Sequence, residues 1–295
     1  MFKLQGIYAP IPTPFDADGA ISWGHLERNM EFWTGSSLSG IVVMGSNGEF
    51  VTLSHDEKKE LITKVCRMAK GKKPVAAGCG CEATHETIAL CEHSAKAGAS
   101  AALVLNPNYY KNAMKESLLK QFFLEVADAS PIPVIVYNMP GNTGVNLSSA
   151  LVSALAAHPN IIGVKDSGGN IVQIAEIIRD TPDDFSVFAG SASFLYATLA
   201  LGGVGGTLAL GNIMPEECAK IQTLVNENKH AEAAALQKKL LAINAAVTSR
   251  FGIAGLKAAM ELVGLYGGAP RKPLLPLEEK DRAVIKAILD EVRGG

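Results

Sequence analysis

Lys165 closes the apolar run Ile161–Val164 and is followed by Asp166, Ser167 and two glycines in the string "IIGVKDSGGN". A lysine is rarely buried without a partner, so the plain reading is a strand that stops where its charged residue meets water. The chemical reading is an amine drawn partly out of water. Burial there disfavours the charged form and leaves a nucleophile. A phenol at the end of another apolar run, Tyr137 in "IPVIVYNMPGNTG", would help to hold such an amine partly neutral if the two are neighbours, although its ring could equally cap a core. Polar side chains gather at the ends of further runs: Ser46 and Asn47 in "GSNGE", the string "NPNYY" with Tyr109, Asn142 in "GNTG", and Ser191 in "GSASF". Singly, each reads as turn or cap chemistry, since Gly and Asn accept positive φ and Ser caps helices.

The elements that must position these residues follow from the hydrophobic pattern. Eight short apolar runs recur along the first 211 residues: "GIYAPI", "GIVVMG", "PVAAG", "AALVLNP", "IPVIVYN", "IIGVKD", "FSVFAG" and "GGTLALG". Between them lie segments such as "SHDEKKELITKVCRMAK", "THETIALCEHSAKAGA", "MKESLLKQFFLEVADAS" and "NIVQIAEIIRD", whose apolar positions return every three and four residues, as in helices. Ser54 stands three residues before Glu57, the spacing of a capping box. Near-continuous apolar strands alternating with helices predict a parallel sheet covered on both faces, and eight of them fit a closed (β/α)8 TIM barrel. From residue 229 onward only helical patterns remain, so the prediction is a barrel over residues 1–228 and a C-terminal helical extension over 229–295 packed on it. Barrel enzymes carry their sites at the C-terminal ends of the strands, where Lys165, Tyr137, Ser46, Asn142 and Ser191 all fall. Their convergence on one face strengthens the chemical reading of each.

Composition excludes several other classes. The 295-residue chain is 48% apolar and 19% charged with a net charge of -2, which lacks the basic excess of a nucleic-acid binder. No stretch of about 18 apolar residues predicts a membrane span. Five scattered cysteines argue for a reducing compartment rather than a disulfide framework, and no targeting signal is read at the N-terminus, so a cytoplasmic location is expected.

The strings "GSNGE", "PNYYK", "YNMPGNTG", "GVKDSGG" and "AGSASF", in this order, resemble the pyruvate-dependent class I aldolase family that includes dihydrodipicolinate synthase and N-acetylneuraminate lyase. The resemblance covers essentially the whole chain. Within that family, "GSNGEF", "AGCGCEAT", "HPNIIGVKDSGGN" and "NAAVTSRFGIAGLKAAM" are most similar to the 4-hydroxy-2-oxoglutarate aldolases. The resemblance implies a Schiff base between Lys165 and the keto carbon of pyruvate, with no organic cofactor and no metal. It implies Tyr137 as proton shuttle and Ser46 with Asn47 as holders of the pyruvyl carboxylate, although Asn47 departs from the hydroxyl the family commonly carries there. Tyr109 matches a second tyrosine that a neighbouring subunit supplies to a relay through Ser46. Ser167, Gly190 and Ser191 would line the pocket, and the family's usual assembly is a homotetramer, a dimer of dimers.

Asn142 stands where dihydrodipicolinate synthase carries an arginine for the carboxylate of its aldehyde substrate, and an amide cannot supply that charge. The resemblance to the 4-hydroxy-2-oxoglutarate aldolases implies cleavage of 4-hydroxy-2-oxoglutarate to pyruvate and glyoxylate. The distal carboxylate of that substrate also finds no arginine in the strand-end strings and would fall to backbone amides and Asn142. The open alternatives are a 2-keto-3-deoxy sugar acid aldolase, dihydrodipicolinate synthase itself, and a non-catalytic small-molecule binding protein on the same scaffold. The cluster Cys79, Cys81, His85, Cys91 and His93 invites a zinc reading, but its spacing matches no standard pairing, and "LGGVGGTLALGN" places its glycines before a strand instead of after it.

Overall fold

The structure is a computed structural model that describes residues 2–294. Eight strands, β1 (Gly6–Pro10), β2 (Gly40–Val43), β3 (Val75–Gly78), β4 (Ala101–Leu105), β5 (Val134–Asn138), β6 (Ile161–Asp166), β7 (Ser186–Ala189) and β8 (Gly205–Thr207), pair in sequence order into one closed parallel barrel. The β1–β8 pairing closes it. The helices around it are α1 (Trp23–Gly35), α2 (His55–Ala69), α3 (Thr84–Ala97), α4 (Glu116–Ala129), α5 (Pro140–Thr143), α6 (Ser149–Ala156), α7 (Ile171–Asp180), α8 (Leu195–Ala200) and α9 (Pro215–Asn226). Three more follow: α10 (His230–Ala245), α11 (Gly252–Leu262) and α12 (Glu279–Gly294).

Alternation along each strand divides the interior in two, because successive side chains point to opposite faces. One set, including Tyr8, Val42, Ala76, Leu103, Ile135, Tyr137 and Phe188, fills the barrel lumen. The other packs outward against the helices and continues without a break into Leu240, Ile243, Leu256, Met260, Ile285 and Leu289 of the C-terminal helices. Helix starts follow their local chemistry. Ser54 and Glu57 form a reciprocal capping box on α2, and Asn170 caps α7 by accepting from the backbone N–H groups of Val172 and Gln173.

Two segments depart from the sequence pattern. Only Gly205–Thr207 of "GGTLALG" joins the sheet, and the rest turns into a short 3-10 segment, Ala209–Asn212. Asn212 holds that turn by donating to the carbonyls of Pro10 and Ala209. The periodic run "HAEAAALQKKLLAINAAV" leaves α-helical geometry at Ala246 for a π-type turn through Arg250, a local widening that is frequent beside functional sites.

Candidate active site

Tyr137 and Lys165 are register partners on β5 and β6, so both side chains project from the same face of the sheet into the barrel mouth. The next pair outward, Asn138 and Asp166, is also in register and points the other way, where Asn138 Nδ2 donates to Asp166 Oδ2 at 2.7 Å. Asp166 accepts as well from the backbone N–H groups of Gly168 and Gly169, so the loop that follows Lys165 is tied down from behind. Lys165 is only 4% exposed. Its Nζ lies 3.9 Å from the centre of the Tyr137 ring, and no carboxylate pairs with it among the described residues.

The Tyr137 hydroxyl lies 3.2 Å from Ser46 Oγ. Burial pushes this phenol up, but the positive charge of Lys165 and hydrogen bonds with Ser46, Lys165 and Ser167 outweigh it and hold the pKa below the usual tyrosine range. A phenol poised this way gives up its proton more readily than a free tyrosine, which suits a group that must both take and return protons.

These three residues open on a cavity of about 790 Å³ that Asn47, Asn142, Ser167, Gly190 and Ser191 also line. Eight of the nine residues singled out in the sequence thus share one pocket. Asn47 Nδ2 is buried and has no hydrogen-bond partner among the described residues. Tyr109 stands apart. It is 77% exposed on the loop after β4, with its backbone N–H held by the Glu82 carboxylate and its ring edge-on to Tyr110. Gly190 has a steric reason: a Cβ there would stand 1.9 Å from Ser167 Oγ and 2.6 Å from the Asp166 carbonyl oxygen.

Of the cysteine–histidine cluster, Cys79 and Cys91 are drawn into packing while His85 is exposed. Cys79 is buried with its Sγ 3.3 Å from Ser94 Oγ, whereas His93 turns toward α2, within hydrogen-bond distance of Thr63 Oγ1 and the Lys59 carbonyl.

The chain matches the model of the dihydrodipicolinate synthetase family over residues 3–292. It belongs to that family. It is 36% identical over 294 residues to a probable mitochondrial 4-hydroxy-2-oxoglutarate aldolase of Emericella nidulans, covering 98% of this chain and 94% of the relative. It is also 36% identical over 286 residues to a 4-hydroxy-tetrahydrodipicolinate synthase of Acidiphilium cryptum, covering 97% of each chain. A solved structure of an E. coli K12 prophage protein of the dihydrodipicolinic acid synthase family, in complex with pyruvate, superposes with a TM-score of 0.92 at 30% identity and 98% coverage of both chains. Membership makes this chain a carbon–carbon lyase of the pyruvate-dependent aldolase type. No described helix is long and apolar enough to cross a membrane.

Three residues at or beside the site escaped the sequence reading. Glu49 lines the cavity, yet it is 3% exposed and its carboxylate meets Lys257 Nζ at 2.6 Å. Asn244, at the end of α10, donates from Nδ2 to Ser191 Oγ at 3.1 Å and to Ser193 Oγ at 2.7 Å, and so sets one wall of the cavity. Glu49 had a faint signal, since it closes the "GSNGE" string, but a lysine in an amphipathic helix and an asparagine before "AAV" read as ordinary.

Proposed function

We propose that this enzyme cleaves 4-hydroxy-2-oxoglutarate to pyruvate and glyoxylate through a Schiff base on Lys165. The observation that carries the mechanism is the buried Lys165 amine over the Tyr137 ring, with the Tyr137 hydroxyl in reach of Ser46, all opening on one cavity. In this reading the Lys165 amine adds to the keto carbon, C2, and loss of water leaves an iminium. Tyr137 takes the proton of the C4 hydroxyl, the C3–C4 bond breaks, and its electron pair passes into the iminium as an enamine while the aldehyde leaves. The enamine carbon is then protonated and water releases pyruvate, restoring the amine. Ser46 and Asn47 hold the pyruvyl carboxylate, a role supported by their place in the cavity lining with Lys165 and Tyr137.

The choice of substrate rests on the similarity to the Emericella protein. Among the described residues Lys165 and Glu49 are the only charged ones that line the cavity, and Glu49 is paired with Lys257, so neither the synthase's aldehyde carboxylate nor that of glyoxylate meets an arginine of this lining. The rest of the polar lining includes Asn142, Ser191 and Ser193 with Thr248 and Ser249. That neutral, hydroxyl-rich lining favours one second reading, a 2-keto-3-deoxy sugar acid as substrate. On the family's pattern, the exposed Tyr109 would complete the proton relay from a neighbouring subunit of a homotetramer.

The first test is borohydride reduction in the presence of pyruvate, with and without EDTA, followed by peptide mapping. A reduced pyruvyl adduct on Lys165 that is indifferent to EDTA is expected. Absence of that adduct sinks the mechanism. Retro-aldol rates on 4-hydroxy-2-oxoglutarate and on 2-keto-3-deoxygluconate then decide between the two substrates.

A further inference from the structure

Glu49 sits directly after the turn that carries Ser46 and Asn47. Residues Ser46–Gly48 form a single 3-10 turn, and Glu49 ends it in the left-handed region with φ 55°, an uncommon conformation for a residue with a side chain. Such a conformation persists only where its surroundings over-determine it. Here they do. The Glu49 N–H donates to the Ser46 carbonyl, its own carbonyl accepts from Thr52 N at 2.8 Å and Thr52 Oγ1 at 2.9 Å, and Thr13 Oγ1 donates to the Gly48 carbonyl at 2.6 Å.

The carboxylate is held from a distant part of the chain. Oε1 meets Lys257 Nζ of α11 at 2.6 Å, with both side chains 1% exposed, and Oε2 accepts from the Arg271 backbone N–H at 2.8 Å. Lys257 Nζ also donates to the Ala269 carbonyl and faces the Phe15 ring at 4.5 Å. The Arg271 guanidinium stacks over the same ring at 4.3 Å, forks onto both oxygens of Glu57 at 2.6 and 2.8 Å, and donates to the Thr52 carbonyl at 2.9 Å. Residues 257–271 thus clasp residues 49–57 at several points, and the innermost is the fully buried ion pair.

A buried pair of this kind is weak evidence for stability, because desolvating both charges offsets most of their attraction. What it does supply is geometry: a short, fully buried ion pair, together with the Arg271 N–H bond to Oε2, that restricts the placement of the Glu49 backbone. We propose that Glu49 and Lys257 are positioning residues that set the Ser46–Asn47 turn for the pyruvyl carboxylate. The proposal rests on the reading above, in which that turn binds the carboxylate.

The experiment uses the full-length enzyme and its variants Glu49→Gln, Lys257→Met and the double variant. Each is titrated with pyruvate in borohydride trapping, and thermal melting is measured beside it. Each single variant is expected to raise the pyruvate concentration for half-maximal trapping about tenfold, in line with loss of one charge-assisted contact, while the rate at saturation falls by less than about threefold. The double variant removes both charges, so it is expected to regain melting temperature but not pyruvate affinity. Half-saturation unchanged in Glu49→Gln and in the double variant, with only the melting temperature or active fraction altered, would overturn the proposal and leave the pair structural. A parent enzyme that forms no adduct on Lys165 refutes the underlying reading instead, and is seen before any variant is made.

Discussion

Gly190→Ala converts a steric argument into a rate. Gly190 begins the turn after β7, and its N–H donates to the Asp166 carbonyl at 2.7 Å. A Cβ at this position would stand 1.9 Å from Ser167 Oγ, 2.6 Å from the Asp166 carbonyl oxygen and 2.8 Å from Ser167 Cα. The hydroxyl can rotate away, but the two backbone atoms cannot. To reach ordinary contact near 3.4 Å, the backbone at Asp166–Ser167 must retreat by roughly 0.8 Å, and it carries Lys165 with it. Misplacing a reacting group by about 1 Å costs on the order of 100-fold in rate, whereas the overpacking itself costs about 1–3 kcal/mol of stability. The variant is therefore expected to stay folded and to lose about 100-fold in kcat/KM, and to trap pyruvate on Lys165 correspondingly slowly. Pyruvate release coupled to NADH oxidation by lactate dehydrogenase reads the first, and peptide mapping the second. Gly24→Ala is the control, since nothing lies within 4 Å of a Cβ there and its helix α1 is away from the site. Activity of Gly190→Ala within threefold of the parent would refute the claim that this glycine is required by the approach of the Lys165 segment.

Two further outcomes follow from protonation. Ser46 helps to hold the Tyr137 phenol below its usual range, so Ser46→Ala should raise that pKa and move any limb of the pH–rate profile that reports Tyr137 to higher pH; a limb that stays in place or moves lower contradicts the Tyr137–Ser46 contact. The hydrogen bonds of Arg271 hold the Glu57 carboxyl at about 2, below the usual 4.5, so its contribution to stability is present above pH 4.5 and is lost as pH falls toward 2. Glu57→Gln should flatten the loss of stability over that acid window, by an amount that solvent screening keeps small; urea melts at pH 5 and pH 3 check the difference.

Much of the architecture was legible along the chain, because the barrel is written in local terms. Eight apolar runs, helical periodicity between them and the Ser54–Glu57 capping box each reflect neighbours within a few residues. The same locality places Lys165 and Tyr137 at strand ends. Strand alternation also determines which side chains point inward, once the pairing of strands is known. The pairing itself, with Tyr137 opposite Lys165 and Asn138 opposite Asp166, is a property of the closed sheet. So are the clasp between Glu49 and Arg271, which are 222 residues apart, and the grip of Asn244 on Ser191 and Ser193. Those contacts follow no local period. A buried lysine in an amphipathic helix has the same sequence signature as a solvated one, and only the packing of α11 against the barrel mouth withdraws Lys257 from water and gives its charge a partner.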